Sequence, residues 1–144
     1  MPAQSELKPL EPTILLVEDS EDDAFVMNRA LKQAGLGAPI HVLTDGQQAI
    51  DYFAGKGAFS DRDKFPVPSV LFLDLKLPYA TGFEVLSSIR EQPEFSSLQV
   101  AILTGSPEQR DRENAMVLGA QHYLVKPPTK EMLKALFEAM KQAR

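Results

Sequence analysis

The sequence predicts an α/β domain: a five-stranded parallel sheet with helices on both faces. Three observations carry this. Five short apolar runs recur along the chain, amphipathic segments with helix-start signals lie between them, and polar residues cluster directly after the runs. The runs are Ile14-Leu15-Leu16-Val17, Ile40-His41-Val42-Leu43, Val70-Leu71-Phe72-Leu73, Val100-Ala101-Ile102-Leu103 and Tyr123-Leu124-Val125. Most show no clean polar alternation, as expected of strands buried on both faces. The β–α alternation argues for a parallel sheet with right-handed crossovers.

The helices follow in order. Ser20 precedes Glu21-Asp22-Asp23, so it can cap a helix whose acidic first turn suits the helix dipole. Asp45 with Gln48, Thr81 with Glu84 and Ser106 with Gln109 fit the capping-box spacing. Pro107 then falls at a first helical position, where its missing N–H costs little. Phe83, Leu86 and Ile89 share one face of their helix, and Leu133, Leu136 and Met140 share one face of the last. Residues 1–12 read as a flexible lead-in and 13–144 as the domain. Gly55 to Pro68 is a polar connection, long for a compact domain, whose simpler reading is a tolerated insertion rather than a functional loop.

The chain has 144 residues, 44% hydrophobic and 24% charged, which suits one domain with its own core. Its net charge of −5 weighs against a constitutive nucleic-acid binder. With no cysteine there is neither a disulfide framework nor a thiolate zinc site. His41 and His122 share no metal-ligand spacing and read as ordinary strand or edge residues. No apolar stretch approaches the roughly 20 residues needed to cross a bilayer. The N-terminus lacks a secretory apolar region, so a cytoplasmic location is expected.

Ligands of open parallel sheets bind at the carboxyl ends of the strands. Glu18 and Asp19 follow the first run and Asp74 the third. Thr104, Gly105 and Ser106 follow the fourth, and Lys126 and Pro127 the fifth. One rim thus gathers three carboxylates, two hydroxyls and an ammonium. Hard oxygen donors suit Mg²⁺. A carboxylate can act as nucleophile toward phosphorus. Phosphoryl transfer then needs chiefly positioning and charge neutralisation, which a cation, Lys126 and the Thr104 hydroxyl would supply.

With Val17-Glu18-Asp19, Leu73-Asp74-Leu75-Lys76-Leu77-Pro78 and Gly82, Ile102-Leu103-Thr104-Gly105, and Gly119-Ala120 leading to Tyr123-Leu124-Val125-Lys126-Pro127, the chain resembles the receiver domain of bacterial two-component response regulators. The ordered set spans the chain from about Thr13 onward. The resemblance implies a flavodoxin-like three-layer sandwich of strand order 2-1-3-4-5. It implies that Asp74 is the phosphoacceptor, that Asp19 binds Mg²⁺ directly and that Glu18 acts through metal-bound water. The backbone carbonyl of Lys76 would be a further metal ligand. Thr104 would be the switch hydroxyl, Tyr123 the switch aromatic and Lys126 the partner of the aspartyl phosphate. A cis Lys126–Pro127 bond is also implied. The long linker before the third strand looks like stand-alone regulators found with bacterial phytochrome kinases.

Three departures stand out. Glu18 replaces the commoner Asp. Lys76, two after Asp74, and Ser106, two after Thr104, should set the dephosphorylation rate, in a direction the sequence leaves open. Pro128 leaves the start of the last helix undetermined. The expected function is a stand-alone phosphoacceptor serving a histidine kinase, with output through partner binding, homodimerisation or phosphate relay, and with no membrane or nucleic-acid partner. Arg144 comes too soon after the last helix for an output domain to be expected. A Mg²⁺-dependent phosphohydrolase would want a second Asp where Lys76 stands. A flavin-binding module would want a phosphate-cradling loop where Glu18 and Asp19 would repel phosphate. A degenerate receiver is argued against by the complete acid and lysine set.

Overall fold

The computed structural model describes residues 13–36 and 40–142, so the expected lead-in lies outside the described residues. The strands are β1 (Ile14–Val17), β2 (Ile40–Leu43), β3 (Val70–Leu73), β4 (Gln99–Thr104) and β5 (His122–Val125). The helices are α1 (Glu21–Gln33), α2 (Gly46–Ala54), α3 (Gly82–Arg90), α4 (Gln109–Val117) and α5 (Lys130–Gln142). All strand pairs are parallel and the order is β2-β1-β3-β4-β5, as the resemblance implied.

Each central strand divides its residues between two cores, because successive side chains point to opposite faces. Leu15, Val17, Leu71, Leu73, Val100 and Ile102 pack in one core with residues of α2 and α3. Ile14, Leu16, Val70, Phe72, Ala101 and Leu103 pack in the other with residues of α1 and α5. Both registers are apolar, which is why the runs carry no polar alternation. Leu86 and Ile89 of α3 and Leu133, Leu136 and Met140 of α5 are buried, while Phe83 is only half-buried.

Three of the expected caps form. The backbone N–H of Asp23 donates to Ser20 Oγ (3.2 Å), that of Gln48 to Asp45 Oδ1 (2.7 Å) and that of Glu84 to Thr81 Oγ1 (3.2 Å). The fourth expectation is overturned. Helix α4 begins at Gln109 with Glu108 in extended geometry before it, so Ser106 is not its cap and Pro107 not its first residue. Ser106 instead donates to Asp111 Oδ2 (2.6 Å) and accepts the Glu108 N–H (3.3 Å), which spends its hydroxyl on spanning the loop. At α5 the Met132 N–H donates to Thr129 Oγ1, which fixes the helix start that Pro128 left open.

The 55–68 connection is a packed segment with a short 3₁₀ turn at Gly57–Ser60. Phe59 and Phe65 lie 5.0 and 6.1 Å from the Tyr52 ring, centroid to centroid. The Tyr52 hydroxyl donates to the Pro66 carbonyl (2.7 Å), and Arg62 donates to the carbonyls of Tyr52 (2.9 Å) and Phe53 (3.3 Å). Aromatic burial and satisfied carbonyls thus anchor a stretch whose composition looks solvated.

His122 in β5 bears on pH dependence. Burial lowers its pKa from the ordinary value. An unfolded histidine charges near pH 6.5, whereas the folded one resists until lower pH. Its contribution to stability is therefore complete above about pH 6.5 and is lost as pH falls through the folded pKa. Thermal denaturation from about pH 8 to about pH 5 should show a shallower loss for His122→Gln than for the wild type, and parallel curves would exclude this role for His122.

Candidate functional site

The carboxyl edge of the sheet assembles the site because backbone bonds continue past the strand ends. The Glu18 N–H donates to the Leu43 carbonyl (2.9 Å), the Asp74 N–H to that of Val17 (3.2 Å) and the Lys126 N–H to that of Thr104 (2.8 Å). Glu18, Asp74 and Thr104 are buried at 2, 6 and 1% exposure, and Asp19 is exposed. Glu18, Asp19 and Asp74 each offer a carboxylate oxygen, and these lie within 4.8 Å of one another. Three hard anionic donors converging at that spacing fit a divalent cation of the Mg²⁺ type, completed by water.

Lys126 reaches into the same pocket. Its Nζ lies 2.6 Å from Glu18 Oε1, 2.8 Å from Asp74 Oδ2 and 2.8 Å from Asp23 Oδ2. Three carboxylates thus match the three N–H donors of one ammonium. Burial pulls the Lys126 pKa down, but the bonds from Asp23, Asp74 and Glu18 outweigh it and leave the ammonium above its ordinary value. Burial raises the Glu18 carboxyl above its usual range, and the bonds from Lys126 and the Ser20 N–H (3.2 Å) only partly oppose this. The Lys126–Pro127 peptide is cis.

A second cluster joins β4, β5 and α4. The Ser106 N–H approaches Thr104 Oγ1 at 3.4 Å. The Tyr123 ring is buried, its hydroxyl donates to the Ser106 carbonyl (2.8 Å), and the Arg112 guanidinium sits 5.8 Å from the ring centroid. Burial raises the Tyr123 pKa. Lys76 is exposed, and its N–H donates to Asp74 Oδ1 (3.3 Å).

Gly82 holds the loop after Asp74 in place. Its N–H donates to the Leu75 carbonyl (2.9 Å), and a Cβ there would collide with the Asp74 carbonyl oxygen and sit 2.7 Å from Leu75 Cα. Gly82→Ala should therefore destabilise the protein by about 1–3 kcal/mol. Urea denaturation reads this directly, and an unchanged midpoint would show that the loop yields freely.

The structure brings Glu18, Asp19, Asp74 and Lys126 together, and places Thr104 and Ser106 in the neighbouring cluster of β4, β5 and α4. Two participants were not foreseen. Asp23 was read only as part of an acidic first turn that suits the helix dipole, but its carboxylate is bound to Lys126. Its position held a signal: helical Cα–Cβ bonds tilt toward the N-terminus, so a side chain one turn past the Ser20 cap points back to the strand end. Asp111, the acceptor for Ser106, is legible only once α4 is known to start at Gln109 rather than at Pro107.

Together these features define a doubly wound α/β domain with an acidic cluster suited to a divalent cation, and a lysine paired to it, at the carboxyl edge of its sheet. The family model for the response regulator receiver domain matches residues 14–138, and the chain belongs to that family. It is 34% identical to the probable methanogenesis regulatory protein FilR2 of Methanothrix harundinacea, over 90% of this chain and 81% of that protein. It is 33% identical to the response regulator Rcp1 of Synechocystis sp., over 87% of this chain and 81% of that protein. The crystal structure of the Mn²⁺-bound form of Rcp1 superposes with a TM-score of 0.73 at 29% identity, covering 91% of this chain and 92% of that one. The bacteriophytochrome response regulator RtBRR superposes at 0.78 with 36% identity, covering 90% of this chain and 77% of that one.

Proposed function

We propose that Asp74 accepts a phosphoryl group from the phosphohistidine of a partner kinase. The observation that carries this reading is a buried Asp74 carboxylate 2.8 Å from Lys126 Nζ, with Glu18 and Asp19 carboxylates beside it. A carboxylate oxygen of Asp74 bonds to phosphorus, the phosphorus–nitrogen bond breaks and the imidazole leaves. Asp19, Asp74 and the Lys76 carbonyl would hold Mg²⁺ directly and Glu18 through water. The cation supplies neutralisation of the phosphoryl oxygens. Lys126 pairs with another phosphoryl oxygen and the Thr104 hydroxyl bonds a third.

Phosphorylation then biases the Thr104, Ser106 and Tyr123 cluster between two arrangements. In this reading residues 13–144 form the receiver and the protein acts in the cytoplasm. It catalyses its own phosphorylation and dephosphorylation rather than turnover of a free substrate. A partner protein or a second copy reads the switched surface. The likeness to the bacteriophytochrome response regulator RtBRR supports a phytochrome-type histidine kinase as donor. Incubation with acetyl phosphate and Mg²⁺ should add one phosphoryl group by intact mass, and EDTA should prevent it. A protein that gains no mass under these conditions is not a phosphoacceptor.

A further inference from the structure

Lys126 has a third carboxylate partner whose role the phosphoacceptor chemistry does not explain. Glu18 and Asp74 belong to the acid set that would hold the cation, and Asp74 becomes an acyl phosphate. Both are therefore altered as partners of Lys126 during the reaction. Asp23 is not in that set, sits on the first turn of α1, and still lies 2.8 Å from Lys126 Nζ. Its backbone N–H is fixed by the Ser20 hydroxyl, so the carboxylate is presented from a capped, regular helix.

We infer that Asp23 is a positioning residue that tethers the Lys126 ammonium on the α1 side of the pocket throughout the phosphorylation cycle. This rests on the phosphoacceptor reading of Asp74. With the tether in place, Lys126 can release Glu18 and Asp74 to the cation while staying within reach of the incoming phosphoryl group. Without it, the ammonium must satisfy its donors on Glu18 and Asp74 alone and competes with the cation for them.

The test compares Asp23→Asn with Asp22→Asn, which removes the same charge from an exposed neighbour in the same helical turn. Asp23→Asn should require about three- to fivefold more Mg²⁺ for half-maximal phosphorylation by acetyl phosphate, the size expected of a partly exposed ion pair. Asp22→Asn should stay close to wild type, and Asp23→Glu should restore most of the loss. An independent readout needs no metal and no phosphodonor. The ¹⁵N-detected ammonium resonance of Lys126, slowed in exchange by its three bonds, should persist in the wild type and Asp22→Asn and be lost in Asp23→Asn. Equal Mg²⁺ requirements for the two Asn variants, or an ammonium signal indifferent to Asp23, would overturn the tether. If the wild type takes no phosphoryl group, the phosphoacceptor reading fails by itself, and the ammonium resonance still decides whether Asp23 holds Lys126.

Discussion

Asp74→Ala is expected to abolish phosphorylation by acetyl phosphate or a cognate kinase, with labelling reduced to background. The effect is large because nothing else at the rim can replace the nucleophile. Asp19 is exposed and Glu18 holds Lys126 at 2.6 Å, so neither shares the position of Asp74, which is buried and flanked by the ammonium at 2.8 Å. Asp74→Asn should be equally silent, since an amide is a poor nucleophile toward phosphorus. The variants should remain folded, because Lys126 retains Glu18 and Asp23 as partners. A thermal melt alongside intact mass separates lost chemistry from lost structure. Labelling of a folded Asp74→Ala protein at the wild-type level would move the acceptor elsewhere.

Lys126→Met should have the second largest effect, on both stability and chemistry. Removing the ammonium leaves the nearly inaccessible Glu18 carboxylate without its counter-charge and brings Glu18, Asp74 and Asp23 into mutual repulsion. Breaking a buried pair from one side costs about 3 kcal/mol in the metal-free protein. The pH dependence has a definite sign. Folding already raises the Glu18 pKa, so the folded state gains relative stability as pH falls from that raised value toward the unfolded one. Acidification to about pH 5 should therefore narrow the gap between variant and wild type. Millimolar Mg²⁺ should narrow it further by supplying positive charge to the same carboxylates. The raised Lys126 pKa acts at the other end: its stabilisation is complete below the unfolded lysine value and is lost only as pH rises through the folded one. Phosphorylation should fall by about two orders of magnitude, comparable to losing one preorganised contact to a developing anion. An unchanged urea midpoint at neutral pH without metal would show that the three carboxylates do not depend on this cation.

Much of this was legible in the residues. A short, fully apolar run such as Val70–Leu73 between helix-start signals reads as a strand flanked on both sides, and the residue that follows it then falls at the sheet edge. Asp74 and Lys126 were therefore readable as rim residues before any coordinate was known. How the 55–68 segment packs was not legible, because its charged and glycine-containing composition hides the role of Phe59 and Phe65. Those rings pack against each other and against Tyr52, which lies on a different element. The Ser106 cap was misread because the local pattern fits a capping box, while the tertiary contacts draw Ser106 toward Asp111 and Tyr123.

By itself, the sequence determined the alternation of strands and helices, three of the helix caps and the identity of the rim residues. These depend on local periodicity, on side chains bonding within one turn and on the rule that strand ends face one edge. Only the tertiary structure decided the partners. Lys126 meets Asp23 across 103 positions and Asp74 across 52, and Tyr123 meets Ser106 across 17. Which of several carboxylates one buried ammonium satisfies depends on distances between elements that no local spacing encodes. A low-dielectric interior makes those distances decisive, because a charge left unpaired there costs more than any cap or turn can return.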